Sequence, residues 1–544
     1  MRAILMSRWR PPDGFPVDVC RPLAQRRWQL IVLFTTILGI ASSASNSPLK
    51  LPCPPYTQDG DIVVDCSDQE FDYVPHVLNP GLVQLKLVNS RIKSVSNIDV
   101  YVRMRHLDLT RNFLTALGEP LSNLHNLSVV IVRENKFTSL RRSDLAGLRS
   151  LTRLDIAKNH ITSIEKQTFI NSSLVELDLS ENSLSELSQG SLQGLTKLQR
   201  LNLKDNKFIT VPTSLTKLRL LNYLDLSFNS FGDIPAGVLP DVKTLRLERC
   251  DLSNTSFLYN SSATFLDISS NRFSTIPRPL PAKLETLIFD ANPIQILTAR
   301  SLSHVPNLSN LSISSSQELR SIHADTFAGN SDIREIRLES NVNLKVLDSK
   351  MFRSLGKLQI ISFRESGLRS IDAGFMSWYL LKRVDFRDNP FKCDCSLSWL
   401  RDLTIEYLNS TGKPANERPG PLDNETIHIS CAEPTKFTGR KLYELPAIAF
   451  ECGMSSLFLS VIVPLVILAL LVSVGIITFL YWRHHRLPAW LPCLRSKDKT
   501  APVHNGSTKH QYLEKTYMVP GDDYDGIYHL QRNAPVRLIP VTEL

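Results

Sequence analysis

The pattern L-x-x-L-x-L-x-x-N recurs through most of this chain and limits its fold more than any other feature. Clear copies are LTRLDIAKN (151–159), LVELDLSEN (174–182), LQRLNLKDN (198–206) and LNYLDLSFN (221–229). The second apolar position runs through Leu85, Leu107, Val130, Leu154, Leu177, Leu201, Leu224, Leu245, Leu266, Leu287, Leu311, Ile336, Ile361 and Val384, fourteen units spaced 21 to 25 residues apart. A unit this short cannot bury its apolar face alone, so neighbours must stack and share one continuous core. The period-two apolar residues within each copy describe a short strand, and stacked strands make a parallel sheet.

These motifs resemble the extracellular leucine-rich-repeat family, to which the ectodomains of Slit and Toll-like receptors belong, over roughly residues 50–452. The resemblance implies a curved α/β-type solenoid with a concave parallel sheet and a mostly non-helical convex side. It divides this region into an N-terminal cap (45–80), fourteen repeats (81–390) and a cysteine-rich C-terminal cap (391–452). The ninth-position asparagines are expected to form a ladder that hydrogen-bonds the turn backbone: Asn112, Asn135, Asn159, Asn182, Asn206, Asn229, Asn271, Asn292, Asn341 and Asn389. Cys250 holds the same position in VKTLRLERC, where the family accepts cysteine, and reads as a buried inert thiol. Three successive steps of 21 residues between Leu224 and Leu287, near Val211-Pro212, Ile234-Pro235 and Ile276-Pro277, suggest a change of curvature around 230–300. Phe327, Phe352 and Phe375 read as core plugs of the longer late units.

Cys393 and Cys395 in NPFKCDCSLSWL flank one residue, and a bond between them would close a small strained ring. Each therefore needs a distant partner, and Cys431 and Cys452 remain. The family resemblance implies Cys393–Cys431 and Cys395–Cys452, with Leu397, Trp399 and Leu400 covering the last repeat. Cys53 and Cys66 can close a small hairpin over the first one. Zinc is disfavoured, because no C-x-x-C occurs and His428 is the one histidine near these cysteines.

The chain contains no H-E-x-x-H, G-x-S-x-G, phosphate-binding glycine loop or kinase signature, so neither an enzyme nor a cofactor is expected. Asp108, Asp155, Asp178, Asp225, Asp267 and Asp385 share one motif position and read as solvated residues of the concave face. Arg153, Arg200, Arg246, Arg337, Arg364 and Arg387 lie on the same face, and that mixture of sign suits a protein ligand better than nucleic acid or another polyanion.

The ends indicate a single-pass type I membrane protein. Basic residues followed by the apolar run Trp28–Ile40 and Ser42-Ser43-Ala44 form a signal peptide over 1–44. A transmembrane helix is expected over 455–482, where Leu457 to Tyr481 carries no charge; Arg483, Arg486 and Arg495 beyond it place the tail (483–544) in the cytosol. Most of the net charge of +9 lies in these two terminal segments, so the ectodomain is nearly neutral. N-glycosylation sequons fall at Asn126, Asn171, Asn254, Asn260, Asn307, Asn310, Asn409 and Asn424. The tail reads as disordered and ends PVTEL, a PDZ-ligand pattern carried by Thr542 and Leu544. Tyr517, Tyr524 and Tyr528 are candidate phosphotyrosine or sorting residues, and Cys493 is a palmitoylation candidate. Ala469 and Ser473 form a small-xxx-small pair that hints at a homodimer. The expected protein is a plasma-membrane recognition or adhesion receptor with an extracellular protein ligand and a cytosolic PDZ scaffold. The alternative is an innate-immune receptor or co-receptor signalling through a partner chain.

Overall fold

The computed structural model describes residues 53–450, except 349, 376–377, 379–380, 411 and 413–419, and residues 461–485. The chain divides into two units, 1–453 and 454–544.

The first unit is built on one sixteen-stranded sheet. It opens with an antiparallel hairpin, Pro55–Gln58 against Asp61–Asp65. Asp59 and Gly60 turn the hairpin, both with positive φ (50° and 86°), as a tight two-residue turn requires. Asp61–Asp65 then pairs in parallel with Gln84–Lys86. Thirteen further three-residue strands follow, each placing its marker residue opposite the next, as in Leu177, Leu201, Leu224 and Leu245. The 21-residue steps keep this register, so the shorter units lose residues only from the connecting segments.

The ladder explains why the ninth position is so restricted. In Asn112 the side-chain amide donates to the carbonyls of Leu87, Leu109 and Thr110 at 2.7, 2.8 and 3.2 Å. Its Oδ1 accepts from the backbone N–H of Ser90 and Ile92 in the preceding turn. An amide carries both donors and an acceptor, so one side chain satisfies buried backbone groups of two turns. All ten expected asparagines are buried. Three serines complete the ladder where the sequence pattern did not single them out: Ser90, Ser316 and Ser366, whose hydroxyls donate to the carbonyls of Cys66, Ser314 and Leu338.

Cys250 takes its predicted place as a buried free thiol, with Sγ 3.4 Å from the carbonyl of Leu226 and 3.5 Å from that of Glu248. Burial pushes its pKa up from 9.0 to about 12. Only the thiolate attacks alkylating reagents, so native protein at pH 8 is expected to resist maleimide at this residue until it unfolds. Rapid labelling without unfolding would contradict the assignment. Because the folded pKa is the higher one, the thiol's contribution to stability is complete below pH 9 and declines as pH rises toward 12.

The residue before each ladder position is left-handed in all fourteen turns, with φ between 52° and 59°, and none is glycine. Its N–H still bonds the next strand's chain, as in Phe228 to Glu248 and Arg249 to Ser269. The turn thus reverses the backbone without breaking the sheet's hydrogen bonding.

Outside the sheet, short 3-10 segments and turns dominate, with one four-residue helix at Arg142–Leu145. Phe327, Phe352 and Phe375 are buried there, as expected. The final cap pairs Phe391–Lys392 with Cys431–Glu433 and lays the helix Ser398–Asn409 beside them. Leu397 and Leu400 are buried, and Trp399 stacks on Trp378 (5.5 Å) while its Nε1 donates to the carbonyl of Ile371. Disulfides join Cys53 to Cys66 and Cys393 to Cys431. Cys395 is also disulfide-bonded; Cys452, its expected partner, lies outside the described residues.

In the second unit, the helix Val463–His485 is long and apolar enough between Val463 and Arg483 to cross a membrane. The signal segment 1–44, the first residues of the expected span (455–460) and the tail from 486 onward, with Cys493, Tyr517, Tyr524, Tyr528, Thr542 and Leu544, lie outside the described residues.

Candidate binding face

Each strand buries its marker residue and turns the residues on either side outward, so fourteen strands in register present parallel columns of side chains. The motif aspartates lie in one column, but they are not the solvated residues expected from sequence. Asp155, Asp225, Asp267 and Asp385 are buried, and each carboxylate accepts the backbone N–H two residues on, at 3.2, 3.0, 3.2 and 3.1 Å. Asp108 and Asp178 make the same bond while half-buried. Side chains of adjacent strands cover these carboxylates, and the short Asp reaches its own turn before it reaches water. Their role is to start the turn toward the ladder. Burial is the main influence on Asp155, whose pKa is raised, with Asp178 adding to the rise and Arg133 opposing it. Burial raises Glu248 and Asp290 in the same way.

The six expected arginines are all ion-paired. Arg153 and Arg200 both approach Glu176 at 3.7 Å, and Arg246 lies 3.5 Å from Asp267. Arg337, Arg364 and Arg387 contact Glu335, Asp388 and Asp385 at 2.6, 3.0 and 2.6 Å.

What the sequence did not reveal is an aromatic patch between the sixth and ninth strands. Tyr223 and Phe265 stand on the open face, covered by Arg200 at 4.2 Å and Arg246 at 5.0 Å from the ring centroids. Phe228, at the end of the seventh strand's turn, carries Lys204 at 4.6 Å and Arg249 at 5.7 Å. Each cation lies one repeat from its ring, and Tyr223 and Phe265 lie two repeats apart with Thr244 between them, so the patch is assembled only by the register. Half-buried tyrosine and phenylalanine under arginine on a rigid sheet have the composition of a protein-interface core.

The sequons are distributed unevenly. Asn126, Asn171, Asn260 and Asn307 are exposed and lie three to five residues before a strand. Asn409 and Asn424 are exposed in the final cap, and Asn254 is half-buried. Asn310 begins a strand of the open face, where its amide donates to Glu335 at 2.9 Å. Among the described residues no cluster of three or more His, Cys, Asp or Glu is arranged to hold a metal.

The leucine-rich-repeat family profile matches residues 102–161, 149–208, 172–231 and 306–368. Mouse podocan is 31% identical over 139 residues, covering 25% of this chain and 22% of podocan. Mouse Toll-like receptor 9 is 25% identical over 254 residues, covering 43% of this chain and 22% of that receptor. The chain therefore spans about a fifth of the length of these relatives. The solved TLR13–ssRNA13 complex superposes with a TM-score of 0.50 at 24% identity, covering 60% of this chain and 49% of that one, a likeness of fold. The sheet, its register and the family profile agree: the first unit is a leucine-rich-repeat solenoid of about fourteen turns, with a disulfide at each end.

Proposed function

We propose that this chain is a single-pass cell-surface recognition and adhesion receptor that binds an extracellular protein through the open face of its sheet. The patch at Tyr223, Phe265, Arg200 and Arg246 carries the reading, because its aromatic and guanidinium groups are oriented before any partner arrives. The apolar helix Val463–Arg483 supports membrane attachment. A soluble ectodomain, residues 45–452, screened against a cell-surface proteome should capture a protein. Tyr223→Ala should then weaken capture about thirtyfold, the usual effect of removing a central aromatic anchor. Capture unchanged by Tyr223→Ala would move the site off this patch.

A second reading, an innate-immune receptor or co-receptor acting with a partner chain, is favoured by the 254-residue similarity to mouse Toll-like receptor 9. Capture of a microbial product rather than a host surface protein would select it. Scaffolding through Thr542 and Leu544 completes the first reading. A peptide of the closing residues should bind a PDZ domain and lose binding on Leu544→Ala; no binding across a PDZ panel would remove this part.

A further inference from the structure

We propose that Lys204, Phe228 and Arg249, backed by Arg200 and Arg246, form a docking site for a short acidic segment of the partner protein. This rests on the protein-binding reading above and specifies the chemistry of the partner.

Phe228 is the starting observation. It is the one large apolar residue among the fourteen left-handed turn positions, with φ at 59°. A side chain with Cβ in that conformation costs about 1–2 kcal/mol, and bulky residues rarely adopt it. Here the ring is half-exposed and contributes little to the core. Two cations use it instead, Lys204 from the preceding repeat and Arg249 from the following one. Neither enters an ion pair among the described residues, whereas the six arginines described above all do. The ring therefore holds two cations whose hydrogen-bonding capacity is still free for an anionic ligand.

The surrounding charge favours the same ligand. Arg200 and Arg246 add two cations over Tyr223 and Phe265. Against these four stand Glu176, paired with Arg200, exposed Asp205 and half-buried Glu248, while Asp225 and Asp267, the latter paired with Arg246, are recessed and bonded to turn N–H groups. No sequon falls between Lys204 and Arg249.

Length distinguishes a peptide segment from a polymeric anion. Strands lie about 4.8 Å apart, so three repeats span roughly 10–15 Å, the reach of three or four extended residues. Beyond that, Asp178 and Glu181 lie on one side and Asp290 on the other. A long polyanion following the sheet would meet those carboxylates; a short acidic stretch within a protein would not.

The test uses the full-length protein in lipid nanodiscs and a fluorescent oligoglutamate peptide, with single-stranded RNA and a heparin fragment as competitors. Saturable, salt-weakened peptide binding is expected, reduced about tenfold or more by Lys204→Glu with Arg249→Glu. Phe228→Gly should also weaken it without loss of thermal stability, because glycine suits that backbone. Absence of peptide binding, equal binding by the double variant, or preference for RNA or heparin would overturn the proposal. A protein partner lost on Tyr223→Ala but retained by the Lys204, Arg249 double variant would overturn this docking site and leave the receptor reading intact.

Discussion

Replacing Asn182 with alanine is expected to destabilise the solenoid by roughly 2–4 kcal/mol, far more than the loss of one surface amide. The Asn182 side chain donates to the carbonyls of Ile156, Leu179 and Ser180 at 3.1, 3.0 and 3.1 Å and accepts from the N–H of Ile161 at 3.0 Å. Alanine leaves the Ile161 N–H without a partner, and an unsatisfied buried backbone group costs about 1–3 kcal/mol; the three carbonyls lose one donor each but keep another, from Asn159, Asn206 and the Lys158 N–H. Water entering beside Asn182, which is 8% exposed, recovers part of that sum. Because each turn contacts only its neighbours, the loss should appear first as local opening. Hydrogen exchange at Ile161 should accelerate before exchange in the caps does, and urea unfolding should shift to lower concentration. Cys250→Ala is the control. Its thiol makes only long contacts to two carbonyls, and its own backbone N–H is satisfied by Asn271. That variant should lose much less. If the two variants were equally stable, the ladder would be a packing feature rather than a hydrogen-bonding one.

The same ladder shows what the sequence makes legible. Asparagine stands out because few residues supply both a donor and an acceptor, so the ten amide positions could be named from the pattern alone. Ser90, Ser316 and Ser366 serve the same turns with a hydroxyl, but serine is common enough to pass for background. Counting nine positions from the first leucine of each motif, Leu82, Leu308 and Leu358, finds them. The aspartates were misread for a different reason. Burial of Asp155 or Asp267 depends on side chains of adjacent strands, which a one-dimensional motif does not display. Their spacing to a following Ser, Thr or Ala N–H was the available signal of a turn-starting role. The Phe228 cluster is a product of register: Lys204, Phe228 and Arg249 are each more than 20 residues from the next. No linear motif joins them, although the repeat spacing, read as a lattice, places them side by side. The left-handed turn position was equally hidden, since Arg, Glu, Phe, Ser and Asp all occupy it and glycine, its usual marker, never does.

Removing the final cap's disulfide with Cys393→Ser and Cys431→Ser should cost about 4 kcal/mol, against about 3 kcal/mol for Cys53→Ser with Cys66→Ser. The difference follows from the closed loops, with sequence separations of 38 and 13 residues, because the longer tether removes more freedom from the unfolded chain. The C-terminal bond also has more packing beside it. It fixes Phe391–Lys392 against Cys431–Glu433 next to the aromatic cluster of Trp378, Phe386, Phe391 and Trp399. Phe386 belongs to the last strand turn, so loosening the cap admits water directly to the end of the repeat core. The Trp378–Trp399 stack gives a local readout: emission should shift to the red in the C-terminal variant at temperatures where the N-terminal variant is unchanged. A stability loss without that shift would place the disulfide's effect wholly in the unfolded chain. Loss of both together would show that the bond also holds the lid onto the solenoid, and that an open-ended stack of repeats is unstable because its last apolar layer has no neighbour to cover it.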